Sequence, residues 1–315
     1  MPTNLKKGST ALEGLMVAVV LGFIIISFVI PGKSPRPLIN SGSDNYNYNS
    51  TSNYPYNNTD LEKTSSYSRS VSVGSGNASR AYQPYEEYIT IDNRSGQSIN
   101  ITGWSVRNAK DERTYELGGS LRNFAADSVR IPGASLYVSP NDISPIRDVI
   151  LSNGETAVIT TGSMGQQSPY KVTSFKENIC SGYLDASSDY TFTPPLTRSC
   201  PRPINEPGVS GLDTKCKEFI NRMQSCHTPE FKNTDRNGDY CSNCVDGVQL
   251  SSSCTTFIKE HYSYQGCIAY HAGDPNFSLR TWRIFLGSGW ELWANDHDVI
   301  KLFDNLGNLV DFKSY

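Results

Sequence analysis

Residues 87–108 read EYITIDNRSGQSINITGWSVRN, and residues 298–315 read DVIKLFDNLGNLVDFKSY. In the first stretch Ile89 and Ile91 alternate with Tyr88, Thr90 and Asp92, the period of two that marks a half-buried strand. NRSGQ (93–97) is turn chemistry, Ile99, Ile101 and Gly103-Trp104 begin the next strands, and Val106 continues the alternation. Further out, IPGASLYVSP (131–140) is a Gly/Pro turn feeding a short strand through Leu136 and Val138. SNGETAVITTG (152–162) turns at Asn153-Gly154 before Ala157, Val158 and Ile159. Many short strands divided by turns predict a mainly β chain that folds as a β-sandwich.

The order of these features resembles the lamin-tail domain, an immunoglobulin-like β-sandwich. The resemblance rests on the Glu87–Asn93 strand, on Gly103-Trp104 after a hydrophobic pair, and on a late hairpin with Asp304, Gly307, Val310 and Asp311 in register, from Leu302 to Asp311. It covers residues 85–162 and 281–315. It implies a binding or structural module, with no catalytic residues to carry over. Trp104 is expected to fill the space between the sheets. Trp282, Ile284, Phe285, Leu286, Trp290, Leu292 and Trp293 are expected to return the chain to the same core.

Between the two parts lies a cysteine-bearing segment. Its first half, NICSGYLDASSDYTFTPPLTRSCPRP (178–203), is Pro-rich with Cys180 and Cys200 near its ends. A bond between those two would close a loop of about twenty residues and contribute roughly 3 kcal/mol. The second half has helical stretches in DTKCKEFINRMQSC (213–226) and SSSCTTFIKEHY (251–262), with Asp213 and Ser251 or Ser252 as N-caps. Antiparallel helices would pair Cys216 with Cys267 and Cys226 with Cys254, one of several connectivities open to eight cysteines. Cys241 and Cys244 form a C-x-x-C pair that reads as a structural disulfide in an oxidising compartment. Overlapping it, DRNGDYCSNCVD sets Asp235, Asn237, Asp239, Asn243 and Asp246 at spacings that resemble the opening of a calcium-binding loop. Gly238 stands two places before the position where such a loop needs its glycine, and a polar turn without metal is the other reading.

The charge balance is nearly even, 28 basic against 31 acidic residues, with no basic block, which argues against a nucleic-acid surface. There are four histidines, His227, His261, His271 and His297, and no nucleophile elbow, zincin helix or phosphate-binding glycine loop, so no enzyme is expected.

The N-terminal part predicts location. LMVAVVLGFIIISFVI (15–30) is an uncharged apolar run preceded by Lys6 and Lys7, slightly short of the roughly 20 residues that span a bilayer. KKGSTALEGL (6–15) resembles the signal of prepilins, bacterial type IV and archaeal. That resemblance makes Gly8 the last leader residue, Ser9 the first mature residue and Glu13 the fifth. It implies that the Glu13 carboxylate pairs with a neighbouring subunit's new amine, because an unpaired carboxylate in an apolar helix is costly. SGSDNYNYNSTSNYPYNN (41–58) lacks aliphatic residues and reads as a solvated tether. Glycosylation sequons at Asn49, Asn57, Asn77, Asn93, Asn100 and Asn276 are compatible with surface exposure.

The expected organisation is a cytoplasmic leader (1–10), one transmembrane helix (11–31) and a flexible linker (32–84). The first part of an immunoglobulin-like lamin-tail sandwich (85–162) follows. A disulfide-rich, partly helical insertion (163–279) then precedes the last strands (280–315). The expected role is a non-catalytic binding or structural protein on the surface of a prokaryote. A single pass holds it in the cell membrane with its C-terminal domain extracellular. Its partner would be a protein, a glycan or further copies of itself, with no nucleic acid and no cofactor beyond the calcium reading. The alternative is a pilin-like subunit assembled through its N-terminal helix.

Overall fold

A computed structural model describes residues 62–139, 145–164 and 172–315. The predicted leader, the anchor with Gly8, Ser9 and Glu13, and the linker as far as residue 61 lie outside the described residues. No helix among the described residues is long and apolar enough to cross a membrane.

The strands, in chain order, are β1 (Val71–Gly74), β2 (Tyr88–Asn93), β3 (Ile99–Asn100), β4 (Ser105–Arg107), β5 (Thr114–Leu117), β6 (Ser120–Asn123), β7 (Ser128–Arg130), β8 (Ile150–Leu151), β9 (Thr156–Thr160), β10 (Phe175–Asn178), β11 (Phe231–Thr234), β12 (Tyr240–Val245), β13 (Val248–Gln249), β14 (Ser278–Phe285), β15 (Val299–Phe303) and β16 (Leu309–Ser314). The helices are α1 (Gly182–Asp185), α2 (Thr214–Arg222), α3 (Ser252–His261) and α4 (Tyr264–His271). The protein is mainly β, with several sheets.

A five-stranded sheet runs β1-β2-β9-β14-β10, and a four-stranded sheet runs β16-β15-β4-β7. Both bury one face in a single hydrophobic cluster. Val71, Ile89, Ile91, Ala157, Ile159, Trp282 and Ile284 come from the first sheet, and Val106, Ile300, Leu302 and Val310 from the second. Trp104 belongs to this cluster, almost wholly buried, with Tyr67 tilted against its ring. Strand β2 buries every second residue, as its sequence period requires. The chain before and after the insertion meets directly, because β14 pairs in parallel with β9 from Thr281–Thr156 to Phe285–Thr160.

The late hairpin shows why its residues recur in that order. Asp304 Oδ1 accepts the N–H groups of Leu306 and Asn308, which closes the turn. Gly307 has φ +79°, a left-handed conformation that glycine adopts without steric cost. Val310 enters the core, and Asp311 Oδ2 accepts the N–H of Val73, 2.7 Å away.

Five sequence expectations need correction. Residues 62–84 are not tether: Val71 and Val73 are buried in β1, which pairs with β2. This segment is fastened by long-range bonds, Ser65 Oγ donating to Asp304 and Ser65 N–H to the Leu309 carbonyl, that its polar composition does not reveal. The insertion is not wholly separate from the sandwich, since β10 pairs antiparallel with β14. Leu136 and Val138 do not form a strand; only isolated bridges occur there, at Ala134 and Ser135. Trp290 does not return to the core but is 65% exposed, whereas Leu292 and Trp293 beside it are buried. Among the sequons, Asn93 is fully buried and its amide donates to the carbonyls of Gln97 and Leu151, which leaves no room for a glycan.

Residues Arg113–Asn123 group apart from the rest. Within them β5 and β6 pair antiparallel across Gly118-Gly119, both at positive φ, the geometry of a tight two-residue hairpin.

Candidate recognition surface on the disulfide-stapled insertion

Two helix caps organise the insertion. Asp213 caps α2 by accepting the N–H of Cys216, and Ser251 caps α3 by accepting the N–H of Cys254. The caps also bind each other, Ser251 Oγ donating to Asp213 Oδ2 at 2.7 Å. That bond, followed by the N–H of Cys216, holds the Asp213 carboxyl below its ordinary range. The two helices therefore meet N-terminus to N-terminus, and each has a cysteine at the third helical position. Cys216 accordingly bonds Cys254.

This overturns the nested antiparallel pairing. Cys216 does not join Cys267, nor Cys226 Cys254, and Cys180 does not join Cys200. The bonds are Cys180–Cys267, Cys200–Cys226 and Cys216–Cys254, together with the expected Cys241–Cys244. No described cysteine is free. The helical stretch after Ser251 also breaks at Tyr262, and a new helix starts at Tyr264, capped by Ser263 on the N–H of Gly266.

Two further hydrophobic clusters involve the insertion, the first of them shared with Val138 of the preceding segment. One gathers Cys180, Phe175, Leu184, Phe192 and Cys267. The other gathers Cys216, Ile220, Val245, Cys254 and Ile258. Beside the second runs a groove of about 510 Å³ between α2 and the turn at Asp246–Val248. Phe219, Met223 and Val248 supply apolar lining; Lys215, Arg222 and Arg236 supply cations. Of its two acids, Asp246 is engaged: Oδ2 lies 2.7 Å from His227 Nε2 and Oδ1 accepts the N–H of Glu230, whereas Glu218 makes only a loose 4.0 Å contact with Arg222.

The residues read as a calcium loop are not brought together as ligands. Asp235 Oδ1 accepts the N–H groups of Asn237 and Asp239, an internal turn between β11 and β12. Asn243 donates to Ser252 Oγ, and Asp246 faces His227. Among the described residues no group of three or more His, Cys, Asp or Glu is gathered as a metal ion requires. The spacing is that of a polar β-turn.

The four histidines are dispersed. His261 stacks between Phe257 and Tyr270 at 3.8 and 4.0 Å, with Nδ1 at 2.9 Å from the Phe257 carbonyl. His271 bridges two carboxylates, Asp274 at 2.7 Å and Glu206 at 3.0 Å. Burial works against its charge, but the two acids outweigh burial and raise its pKa. His227 faces the groove, and His297 is exposed at φ +48°.

Sequence reasoning placed Glu87 at the head of a strand but did not foresee that it is fully buried. Its carboxylate accepts the N–H of Leu292 at 2.8 Å and of Trp293 at 3.2 Å, pinning the segment that follows β14 to the start of β2. Burial pushes its pKa from 4.5 to about 7; the Thr161 hydroxyl and the two N–H groups oppose the rise, and Glu291 adds to it. The folded pKa is above the unfolded one, so the folded state binds the extra proton. This group's stabilising contribution is complete below pH 4.5, falls as pH rises to 7, and is flat beyond. The slope reaches about 1.4 kcal/mol per pH unit. Glu87→Gln should therefore gain stability relative to the parent protein as pH rises across that window. Urea unfolding of both proteins at a series of pH values measures the difference; a pH-independent difference would refute the assignment.

No family model matches the chain, and no curated protein matches it.

Proposed function

We propose that this chain is a non-catalytic surface protein of a prokaryote, anchored by residues 11–31, that presents a lamin-tail-like sandwich and its stapled insertion outward. The observation that carries this reading is the state of the cysteines. All eight are bonded in four pairs, and such bonds persist in exported proteins and are rare in a reducing cytosol. An apolar run at 15–30 supplies the means of retention. The lamin-tail reading draws support from Glu87–Asn93 lying in and just before β2, from the burial of Trp104, and from the β15–β16 hairpin. The insertion serves as the recognition element, because it displays a groove with apolar lining and cations on a rigid scaffold. Neither a cofactor nor calcium enters this reading.

The second reading, a pilin-like subunit, rests on Gly8 and Glu13 in KKGSTALEGL. The N-terminal residue of protein purified from its native membrane separates the two. A chain beginning at Ser9 establishes leader removal and makes assembly through the N-terminal helix the leading function. A chain that keeps Met1 or Pro2 leaves a plain anchor. Eight alkylatable thiols in native, unreduced protein would overturn export itself.

A further inference from the structure

The segment between β14 and β15, which contributes no residue to the groove lining, presents a surface of different character. Trp290 is 65% exposed, and among the described residues its indole makes no hydrogen bond and stacks on no ring. The loop that carries it is held on both sides. Before it, Ser288 donates its N–H to the Thr161 carbonyl and its hydroxyl to the Trp290 carbonyl at 2.8 Å. After it, Leu292 donates its N–H to buried Glu87. An exposed indole on a fastened loop loses little conformational entropy when it is covered.

Two carboxylates lie close to one another here. Glu291 is the chain neighbour of Trp290, and Glu86, beside the Glu87 that binds Leu292 and Trp293, is near enough to Glu291 to repel its charge. Neither has a cationic partner among the described residues. One oxygen of Glu291 is buried without a hydrogen bond, and its carboxyl is raised above the ordinary range by burial and then by Glu86. Two like charges held close together are costly, and a cation arriving at their exposed side relieves that repulsion.

The groove on the insertion has the complementary chemistry. Phe219, Met223 and Val248 offer an apolar surface for a ring, while among the described residues Lys215 and Arg236 have no carboxylate partner and Arg222 holds Glu218 only loosely. Trp and Arg are the residues most often found at the energetic centre of interfaces. We propose that copies of this chain bind head to tail, with Trp290, Glu86 and Glu291 of one copy seated in the groove between α2 and the Asp246–Val248 turn of the next. The two surfaces differ, so the contact is heterologous and repeats along a row of copies. It requires neither leader removal nor the N-terminal helix; it rests on the reading of the groove as the recognition element and names a second copy of the chain as its occupant.

The test uses the full chain in its membrane, prepared as an equal mixture of ordinary and ¹⁵N-labelled copies and treated with a zero-length carbodiimide, which joins a carboxylate to an amine in direct contact. The expected product is a peptide pair linking Lys215 to Glu291 or Glu86, with half of the pairs of mixed isotope. Trp290→Ala should weaken self-association about thirtyfold or more. Glu86→Lys with Glu291→Lys should abolish the link. Adding Lys215→Glu and Arg222→Glu to the same chains should restore association. These substitutions are at exposed or partly exposed positions, so the variants should fold, and the restoring pair checks that they do. Three results overturn the proposal: mixed-isotope links confined to other residues, unchanged association in Trp290→Ala, or a link from Glu291 to a different protein.

Discussion

Replacing Arg283 by methionine should lower the free energy of unfolding by about 3–5 kcal/mol, the usual cost of stranding one member of a buried ion pair. Arg283 lies on β14, and its side chain is 5% exposed; that of Glu177, on β10, is 0% exposed. The guanidinium Nε donates to Glu177 Oε1, and its two terminal nitrogens donate to the carbonyls of Pro194 and Pro195, each at 2.7 Å. Glu177 Oε2 takes the N–H of Thr197. One side chain from the sandwich thus fastens the Pro-rich loop of the insertion. Methionine matches the stem but leaves a buried carboxylate and two proline carbonyls unpaired. The double variant Arg283→Met/Glu177→Leu should recover much of the loss, because a buried pair replaced by apolar groups is often nearly neutral. Urea unfolding of the two single variants and the double one measures this. A loss below about 1 kcal/mol in the single variant would mean that the pair is solvated.

What was legible in the sequence follows from geometry. Strand β2 buries one face against the shared core, so its period of two is written in Ile89 and Ile91. Trp104 was legible because so large a ring in a strand-rich region has few other places to go. The C-x-x-C bond was legible because its partners are local. The remaining pairings were not, since they depend on long-range contacts. For Cys216–Cys254 the meeting of the helix ends is fixed by Ser251 reaching Asp213 across 38 residues, a contact with no periodic signature. Buried Glu87, Glu177 and Arg283 were invisible for a related reason. Charged residues are usually exposed, and their burial is set by long-range partners. Strand β1 offers only Val71 and Val73 in a polar stretch, and its order comes from Asp304 and Asp311 at the far end of the chain. The turn at Gly118-Gly119 did carry a hairpin signal, in a stretch too polar to suggest a sheet.

Removing Cys180 and Cys267 together should destabilise the protein more than removing any other pair. In the chain-entropy model a bond between residues 87 apart contributes roughly 4.5 kcal/mol, while one between residues 3 apart contributes roughly 1.5–2 kcal/mol. The separations of 38 for Cys216–Cys254 and 26 for Cys200–Cys226 place those pairs between the extremes. Both Cys180 and Cys267 are also buried in the cluster with Phe175 and Phe192, so alanine at these positions removes packing as well. Cys180 follows β10 within two residues, and Cys267 sits in α4, so this bond joins the sandwich to the last helix of the insertion. Four double-alanine variants compared by urea unfolding should rank in the order of their separations, with Cys241→Ala/Cys244→Ala mildest. A second readout distinguishes global from local effects. If the Cys180/Cys267 variant leaves the main unfolding transition unchanged but makes residues 179–277 newly sensitive to protease, the insertion opens as its own cooperative unit. The groove would then belong to a region less stable than its support, and Arg283 rather than the disulfide would be the principal tie between the two. A coincident loss of both would make the sandwich and the stapled insertion a single cooperative fold, as the shared strand β10 leads one to expect.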